Sequence, residues 1–198
     1  MKKIGLTGTI AAGKTTVSIL LRRKGYHVFD CDGYSHILYQ QNNPCYQKIV
    51  SAFGEGILEE NREIDRKKLA SLIFSDEAAR QKINRIVHPA MIEGMLNFFA
   101  RHAEEPIVFA EVPLLFEAGM QEYFDEILVV TCSRETALQR MMRDRGYSRE
   151  EAEARYAKTM RGFSQQDHVV LMENDGNLQE LNERVNEYLA IAEDGNES

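Results

Sequence analysis

The sequence contains little cysteine, no tryptophan and no long apolar run. Its three cysteines, Cys31, Cys45 and Cys132, are odd in number and form no CxxC pair, so they indicate neither a disulfide framework nor a zinc site. We interpret them as reduced thiols. No apolar stretch approaches the ~20 residues that a membrane-spanning helix requires, and residues 1–3 lead into a predicted strand rather than a signal peptide. We therefore expect a cytoplasmic protein with no membrane partner.

Positive charge is also scarce. The chain has 24 lysines and arginines against 31 acidic residues, which gives a net charge of −7. Because no excess of positive charge is available to neutralise a phosphate backbone, this balance argues against a dedicated nucleic-acid-binding protein. The 198 residues suffice for one domain with a substantial core and room for an inserted lobe.

One motif near the start dominates the sequence. Residues Gly8 to Thr15, Gly-Thr-Ile-Ala-Ala-Gly-Lys-Thr, satisfy the phosphate-loop pattern GxxxxGK[ST]. The apolar run at 3–7 predicts a buried strand before it, and residues 16–24 carry apolar side chains at helical spacing and stop at Gly25. A glycine-containing turn can match the pattern by chance, but the flanking strand and helix favour a nucleotide site.

The chemistry of phosphate binding explains the spacing of this motif. Gly8 and Gly13 let the backbone turn so that successive N–H groups point at a polyphosphate. The following helix adds its free N–H groups and partial positive charge. Lys14 can then reach the β and γ phosphates, and the Thr15 hydroxyl can ligate Mg²⁺. The motif therefore predicts a nucleotide site that also takes Mg²⁺.

Two acids follow the second predicted strand, at residues 26–29. Ligands of open α/β sheets bind outside the carboxyl ends of the strands, which makes Asp30 and Asp32 candidates for general-base or metal chemistry. The alternative is that one or both cap the next helix. We expect Asp30 to be the cap and Asp32 the functional acid. If the chain is still extended there, two acids two apart point in opposite directions, so only one of them can face the crevice.

A mostly helical block occupies residues 34–104. Its helical segments are predicted at 33–41, 46–53, 64–74 with Asp65 as N-cap, and 76–87. The last is expected to end at His88-Pro89, because a residue before proline is pushed out of the α region. The block exceeds what a crossover between strands requires, so we interpret it as an inserted substrate lobe.

The third predicted strand, residues 107–111, is a continuous apolar run ending in Glu111, as in a Walker B strand whose acid holds Mg²⁺ through water. The segment from Val112 to Glu117 follows it and contains Pro113, Leu114 and Leu115. Leucines exposed there would offer an apolar ligand surface. A turn packed on the core is the equally open alternative.

Basic residues collect after the fourth predicted strand, residues 126–132. Residues 134–161 hold eight lysines and arginines against five acids, within helices predicted at 133–145 and 148–160. A charge run is usually a solvated face, yet a basic helical pair here is also where a lid would close over ATP and supply Arg140. The fifth strand is predicted at 169–172 and the last helix at 178–191, followed by a frayed tail.

Several motifs together resemble the dephospho-coenzyme A kinase family. They comprise the run from Ile4 into the phosphate loop, Asp30-x-Asp32, Phe53-Gly54 with Ile64-Asp65-Arg66, Arg85-Ile86-Val87-His88-Pro89, Val112-Pro113-Leu114-Leu115-Phe116-Glu117, and Arg140 with Arg143 and Asp144. They span nearly the whole chain, and the His-Pro and Pro-Leu-Leu-Phe-Glu segments are specific to that family among small kinases.

The resemblance implies a P-loop kinase fold of the α/β class. Its five-stranded parallel sheet would carry helices on both faces and form a core at about 1–33, 105–138 and 166–198. A helical substrate lobe at about 34–104 and a helical lid at about 139–165 would complete a single domain. The implied reaction is ATP-dependent phosphorylation of the ribose 3′-hydroxyl of dephospho-coenzyme A. We expect a monomer and leave an oligomer open.

Site roles follow from the same resemblance. The implied catalytic residues are Asp32, Lys14 and Arg140. ATP would be bound by Gly8, Ala11, Ala12, Gly13, Lys14, Thr15, Thr16 and Arg140, with Asn174 and Gly176 near the adenine. The acceptor would be bound by Thr7, Asp32, Arg66, His88, Pro113, Leu114 and Leu115. Mg²⁺ would be held by Thr15 and, through water, by Glu111.

The chain departs from the family pattern at four places. It has Ala11-Ala12 where the loop usually has Gly-Ser, Thr159 where the lid usually has glutamine, Ser164-Gln165-Gln166 in place of a charged run, and Asp167-His168 offset from the usual Ala-Asp. These departures concern lid closure and adenine contacts rather than the reaction.

Two other functions compete with this one. A nucleoside or nucleoside-monophosphate kinase would share the loop and lid but should lack His88-Pro89 and Pro113-Leu114-Leu115. A GTPase switch should carry an NKxD guanine motif, which the chain lacks, and its one DxxG, at residues 30–33, follows the second strand rather than the third.

Overall fold

The computed structural model describes residues 1–158 and 168–194. Its strands are β1 (Lys2–Gly8), β2 (His27–Asp30), β3 (Ile107–Glu111), β4 (Glu126–Thr131) and β5 (Val169–Glu173). Its α-helices are α1 (Lys14–Arg23), α2 (Cys31–Leu38), α3 (Pro44–Phe53), α4 (Arg66–Ser75), α5 (Glu77–Arg101), α6 (Arg134–Arg145), α7 (Arg149–Ala157) and α8 (Leu178–Asp194).

The five strands form one sheet in the order β2-β3-β1-β4-β5. β1 pairs in parallel with β3 and β4, and β4 pairs in parallel with β5. Residues of β1, β3 and β4 such as Ile4, Phe109 and Leu128 are fully buried, which explains why these strands read as unbroken apolar runs. The predicted α/β class and five-stranded parallel sheet are confirmed. Parallel pairing brings the carboxyl ends of β1, β3, β4 and β5 to one edge.

The chain divides into two compact units. The first consists of Met1–Phe29 and His102–Ser198 and contains the sheet core, in which α1 and α8 contribute Leu21 and Val185. The second consists of Asp30–Arg101 and has its own apolar core, which includes Leu38, Ile49 and Leu69. The finer predicted division into core, substrate lobe and lid remains a prediction.

The predicted end of a helix at His88-Pro89 is wrong, because α5 continues through Pro89 to Arg101. Proline removes one backbone hydrogen bond and usually kinks or ends a helix. Here Ile86 and Val87 before it, and Ala90 and Met91 after it, pack against the same core of the second unit. Burial on both sides of the proline therefore outweighs the local preference to stop.

Other helix boundaries follow local chemistry. Asp65 caps α4 by accepting from the Lys67 and Lys68 N–H groups at 3.0 Å, as predicted. Ser148 and Glu151 form a capping box at the start of α7, which ends at Ala157. The predicted continuation to residue 160 reaches beyond the described residues. The family departures at Thr159, Ser164–Gln166 and Asp167, and the tail from residue 195, lie outside them too.

Candidate active site

The phosphate loop connects β1 to α1 and has the geometry that its sequence requires. Gly8 lies so close to β4 that a Cβ atom there would be 2.2 Å from the Val130 carbonyl oxygen. Gly13 adopts φ 96° as the N-cap of α1. Ala11 also has positive φ, at 56°, which is a strained backbone conformation for a residue with a side chain. The loop therefore has a defined backbone conformation that its packing and its glycines determine.

Hydrogen bonds from several elements hold this loop. The Thr9 N–H donates to the Val130 carbonyl at 3.0 Å, and the Ala12 N–H donates to the Thr9 carbonyl at 3.2 Å. The Asn174 side-chain amide donates to the Ala12 carbonyl at 2.7 Å, and the Arg140 guanidinium donates to the Ala11 carbonyl at 3.3 Å. β4, β5 and α6 thus all contribute to the shape of the loop.

An oxygen pair suited to a divalent cation lies where α1 begins. The exposed Thr15 donates its hydroxyl to Glu111 Oε1 at 3.0 Å, and Glu111, at the end of β3, is 6% exposed. Among the described residues, no group of three or more His, Cys, Asp or Glu could hold a metal by itself. A hydroxyl and one carboxylate beside a phosphate loop fit Mg²⁺, which keeps several waters and takes its remaining ligands from nucleotide phosphates.

Lys14 lies over its own loop. Its Nζ donates to the Gly8 carbonyl at 3.3 Å, which places the ammonium group across the turn rather than toward the apolar core. The predicted role of Lys14 in phosphate binding is compatible with this position.

An open cavity of about 680 Å³ adjoins the loop. Residues 11–16 of the loop and α1 line one side, Thr136, Arg140 and Arg143 of α6 line another, and residues 174–178 line a third. All of these residues belong to the first unit. The cavity is large enough for a nucleotide, since small-molecule sites usually measure about 300–1,000 Å³.

Two arginines of α6 reach the cavity but differ in their contacts. Arg140 connects the phosphate loop to the turn after β5. Its guanidinium donates to the Ala11 carbonyl, as described above, and makes a long contact of 3.5 Å with the Gly176 carbonyl. Arg143 is largely exposed and pairs with the neighbouring Asp144 at 2.6 Å. Arg140 is therefore the better candidate for contact with phosphates.

The turn after β5 links the loop to α6. Asn174 is 5% exposed, and its backbone N–H donates to the Thr131 carbonyl at 2.7 Å. Asp175 accepts from the Ser133 N–H through both carboxylate oxygens, at 2.9 and 3.1 Å. The pKa of Asp175 is lowered, first by the Thr136 hydroxyl hydrogen bond and also by Ser133 and Arg140. Asp175 is thus an anion at the start of α6.

Cys132 lies beneath this network, where burial raises the pKa of its thiol while the Arg140 charge opposes that rise. Burial dominates, so the thiol is neutral at physiological pH.

Two of the expected acceptor contacts, Thr7 in β1 and Leu115 after β3, have buried side chains. Leu115 is fully buried, with its Cδ1 2.6 Å from where a Cβ on Gly5 would lie, and Thr7 is 1% exposed with its hydroxyl 3.4 Å from the Pro113 carbonyl. Their side chains pack in the core, and the acceptor contacts expected of them stay predictions. Leu114, at 62% exposure, and the half-buried Pro113 remain candidates.

In the second unit the structure separates the two acids after β2. Asp30 caps α2 by accepting from the Gly33 N–H at 2.9 Å, as expected, whereas Asp32 is exposed in the first turn. Because α2 begins at Cys31, the premise of an extended chain between the acids is wrong; capping, not strand alternation, distinguishes them. In the same unit, Arg66 lies 5.7 Å from the Tyr39 ring centre and His88 is half-buried in α5.

Comparison with known proteins adds the family. A model of the dephospho-CoA kinase family matches residues 2–180. The chain belongs to the dephospho-CoA kinase family. It is 43% identical to a dephospho-CoA kinase of Geobacillus kaustophilus over 155 residues, 77% of each chain, and 36% identical to one of Aquifex aeolicus over 188 residues, 93% of this chain and 94% of that one.

Solved structures agree with this membership. The crystal structure of TT1252 from Thermus thermophilus, at 32% identity, matches with a TM-score of 0.79 over 96% of this chain and 97% of that one. A dephospho-CoA kinase from Campylobacter jejuni, at 24% identity, shares the fold with a TM-score of 0.69 over 98% of both chains. This member of the dephospho-CoA kinase family is a kinase by its family, and it shares its fold with these two structures.

The departure from the family pattern at Ala11-Ala12 concerns the backbone conformation of the loop. The dephospho-CoA kinase loop usually has glycine where this chain has Ala11, and Ala11 has the left-handed φ that glycine adopts most easily. Arg140 and Asn174 bind the carbonyls of Ala11 and Ala12, and these bonds hold the loop in this conformation.

Sequence reasoning missed Asp175 and Thr136 and placed Asn174 only near the adenine. The turn signal Asn174-Asp175-Gly176 marks the end of a strand. The hydrogen-bond partners of Asn174 and Asp175, however, cannot be found from their neighbours in sequence. Ser133 is 42 positions from Asp175, and Ala12 is 162 positions from Asn174. The residues are joined by the parallel pairing of β4 with β5 and by the position of the loop.

Proposed function

We propose that this protein transfers the γ-phosphoryl group of ATP to the ribose 3′-hydroxyl of dephospho-coenzyme A, giving coenzyme A and ADP. The observation that carries the proposal is the match to the dephospho-CoA kinase family over residues 2–180. The phosphate loop, with Thr15 and Glu111 at its exit, supports it as a kinase site. The reaction is the last step of coenzyme A synthesis.

Charge neutralisation falls to the first unit. Lys14 and the loop N–H groups bind the β and γ phosphates. Arg140 offsets charge on the phosphate oxygens as the bond between the γ-phosphorus and the oxygen of the leaving ADP breaks. Thr15 and, through water, Glu111 would hold Mg²⁺, which when bound neutralises phosphate charge. Gly13 and Thr16 frame the same loop. The residues do no covalent chemistry, since phosphoryl transfer rests on positioning and electrostatics.

Proton removal falls to Asp32. The carboxylate accepts a hydrogen bond from the 3′-hydroxyl of the acceptor and takes its proton as the oxygen bonds to the γ-phosphorus. Asp32 is available for this role because Asp30, not Asp32, is committed to capping α2. Arg66, His88, Pro113 and Leu114 are the remaining proposed acceptor contacts.

The proposal is tested with a coupled ADP-release assay across a panel of acceptors. Dephospho-coenzyme A, AMP, adenosine and shikimate are each supplied with ATP and Mg²⁺, then with GTP in place of ATP and with EDTA in place of Mg²⁺. We expect turnover with dephospho-coenzyme A and ATP only, and its loss in EDTA. Faster turnover with AMP or adenosine would identify a nucleotide or nucleoside kinase instead.

Location and assembly belong to the same proposal. No helix within residues 1–158 and 168–194 is long and apolar enough to cross a membrane. We propose a cytoplasmic monomer, which cell fractionation and sedimentation of the purified protein test.

A further inference from the structure

We infer that Asn174 is a positioning residue that sets the phosphate-binding face of the loop, rather than a contact for the adenine base. This inference rests on the proposed binding of ATP at the loop. This role differs from the adenine contact that the sequence led us to expect. The inference starts from the hydrogen bond that the Asn174 amide donates to the loop.

The hydrogen bond from Asn174 is short and buried. The Asn174 Nδ2 lies 2.7 Å from the Ala12 carbonyl oxygen, Asn174 is 5% exposed and Ala12 is 1% exposed. A buried carbonyl that loses its donor pays a desolvation cost, so this hydrogen bond favours one orientation of the Ala12 peptide. The bond therefore directs the Ala12 carbonyl toward Asn174, in the turn after β5.

The orientation of the Ala12 carbonyl also sets the orientation of the Gly13 N–H, because both belong to the same peptide unit. In a planar trans peptide, the carbonyl and the following N–H point to opposite sides. Holding the Ala12 carbonyl toward Asn174 therefore turns the Gly13 N–H away from Asn174. The second glycine of a phosphate loop belongs to the set of N–H groups that bind phosphate, so Asn174 aims one of those donors.

The same contact constrains Gly13. A Cβ atom on Gly13 would lie 2.6 Å from Asn174 Nδ2, so the amide occupies the space beside the glycine that a side chain would need. Ala11, one residue before the anchored carbonyl, has a strained φ of 56°. A strained loop keeps its shape only when its surroundings hold it, and Asn174 and Arg140 bind its two successive carbonyls.

Two fragments of ATP, tripolyphosphate and adenosine, distinguish a residue that positions the phosphate loop from one that contacts the base. We would measure binding of ATP, inorganic tripolyphosphate and adenosine by calorimetry to the parent protein, Asn174→Ala and Asn174→Leu. The leucine variant keeps the side-chain volume and introduces no charge. Asn186→Ala is the matched control, because Asn186 is an exposed residue of α8 whose amide oxygen accepts from Lys24, away from the loop.

We expect both Asn174 variants to bind ATP and tripolyphosphate at least tenfold more weakly, by the same factor, with adenosine binding unchanged. Weaker adenosine binding with tripolyphosphate unaffected would overturn the inference in favour of base contact, and so would unchanged binding of all three ligands by either folded variant. If the parent binds neither ATP nor tripolyphosphate, the proposed nucleotide site itself fails.

Discussion

At the scale of single residues, the roles of Asp30 and Asp32 depend on one helix boundary. Asp30 is engaged as the N-cap of α2, and Asp32 lies exposed in its first turn. Asparagine caps a helix about as well as aspartate, so Asp30→Asn preserves the cap. Asparagine at position 32 keeps size and polarity but cannot accept a proton.

We predict that Asp32→Asn lowers turnover about a hundred- to ten-thousand-fold, the usual contribution of a positioned general base. Asp30→Asn should retain turnover close to that of the parent. Nucleotide affinity should barely change in either variant, because ATP binding rests on the loop. The measurement is kcat and ATP affinity for the two variants side by side. An inactive Asp30→Asn beside an active Asp32→Asn would reverse the assignment.

The arginines of α6 give a second prediction at this scale. Arg140→Lys should lower kcat at least tenfold, because a point charge cannot reproduce a planar fork that spans two oxygens. Arg134→Lys, on the same helix but paired with Glu153, is the matched control and should be unaffected. If Arg140→Lys turns over as fast as the parent, Arg143 becomes the candidate and its lysine variant the next measurement.

What the sequence could predict at this scale was local. The caps Asp65 and Asp30 were predictable because their partners lie within three residues. The different fates of Leu114 and Leu115 were not, since adjacent apolar residues give no sign of which one faces the core. The partner of Asn174 was equally hidden, because it depends on the approach of β5 to the loop.

At the scale of elements, α5 shows how packing overrides a local signal. The helix runs through Pro89 and carries Gly94 at a close approach: a Cβ there would lie 2.2 Å from the Tyr34 ring of α2. Both helices belong to the second unit. Proline predicted a stop, yet both Pro89 and Gly94 are accommodated because α5 contributes to a core shared with α2, α3 and α4.

We predict that Gly94→Ala destabilises the protein by about 1–3 kcal/mol, the usual cost of overpacking, less the ~1 kcal/mol that alanine gains over glycine within a helix. Gly56→Ala is the control in the same unit, because a Cβ there meets nothing within 4 Å. Thermal or urea unfolding of both variants measures the difference. Equal stability of the two would show that Tyr34 moves aside at no cost.

The strands were predicted more accurately than the end of α5. The predicted bounds of β3 are those observed, because an unbroken apolar run flanked by polar residues has few alternatives as a strand of a parallel sheet. The strand order could not be derived from such runs, since each is equally able to occupy a central position.

At the scale of the whole molecule, nucleotide binding should appear as added stability. A ligand that binds only the folded state at 100 times its Kd stabilises by about 2.7 kcal/mol, and each kcal/mol shifts Tm by about 2–4 °C for a domain of this size. We therefore predict that saturating ATP with Mg²⁺ raises the Tm of the parent and of Asp32→Asn by about 5–10 °C.

Lys14→Ala should lose most of this shift while keeping the Tm of the protein without ligand, because Lys14 serves phosphates and not the core. Lys24→Ala, an exposed residue just after α1, is the matched control and should keep the shift. An undiminished shift in Lys14→Ala would contradict the assignment of the loop as the ATP site.

The central claim concerns where the phosphoryl group goes. Its most direct test is ¹H–³¹P correlation NMR of the product formed from ATP, Mg²⁺ and dephospho-coenzyme A. The account predicts one new phosphomonoester signal, coupled to the ribose H3′ and coincident with that of coenzyme A. A phosphate coupled to H2′, or ADP formation without any new phosphomonoester, would contradict it.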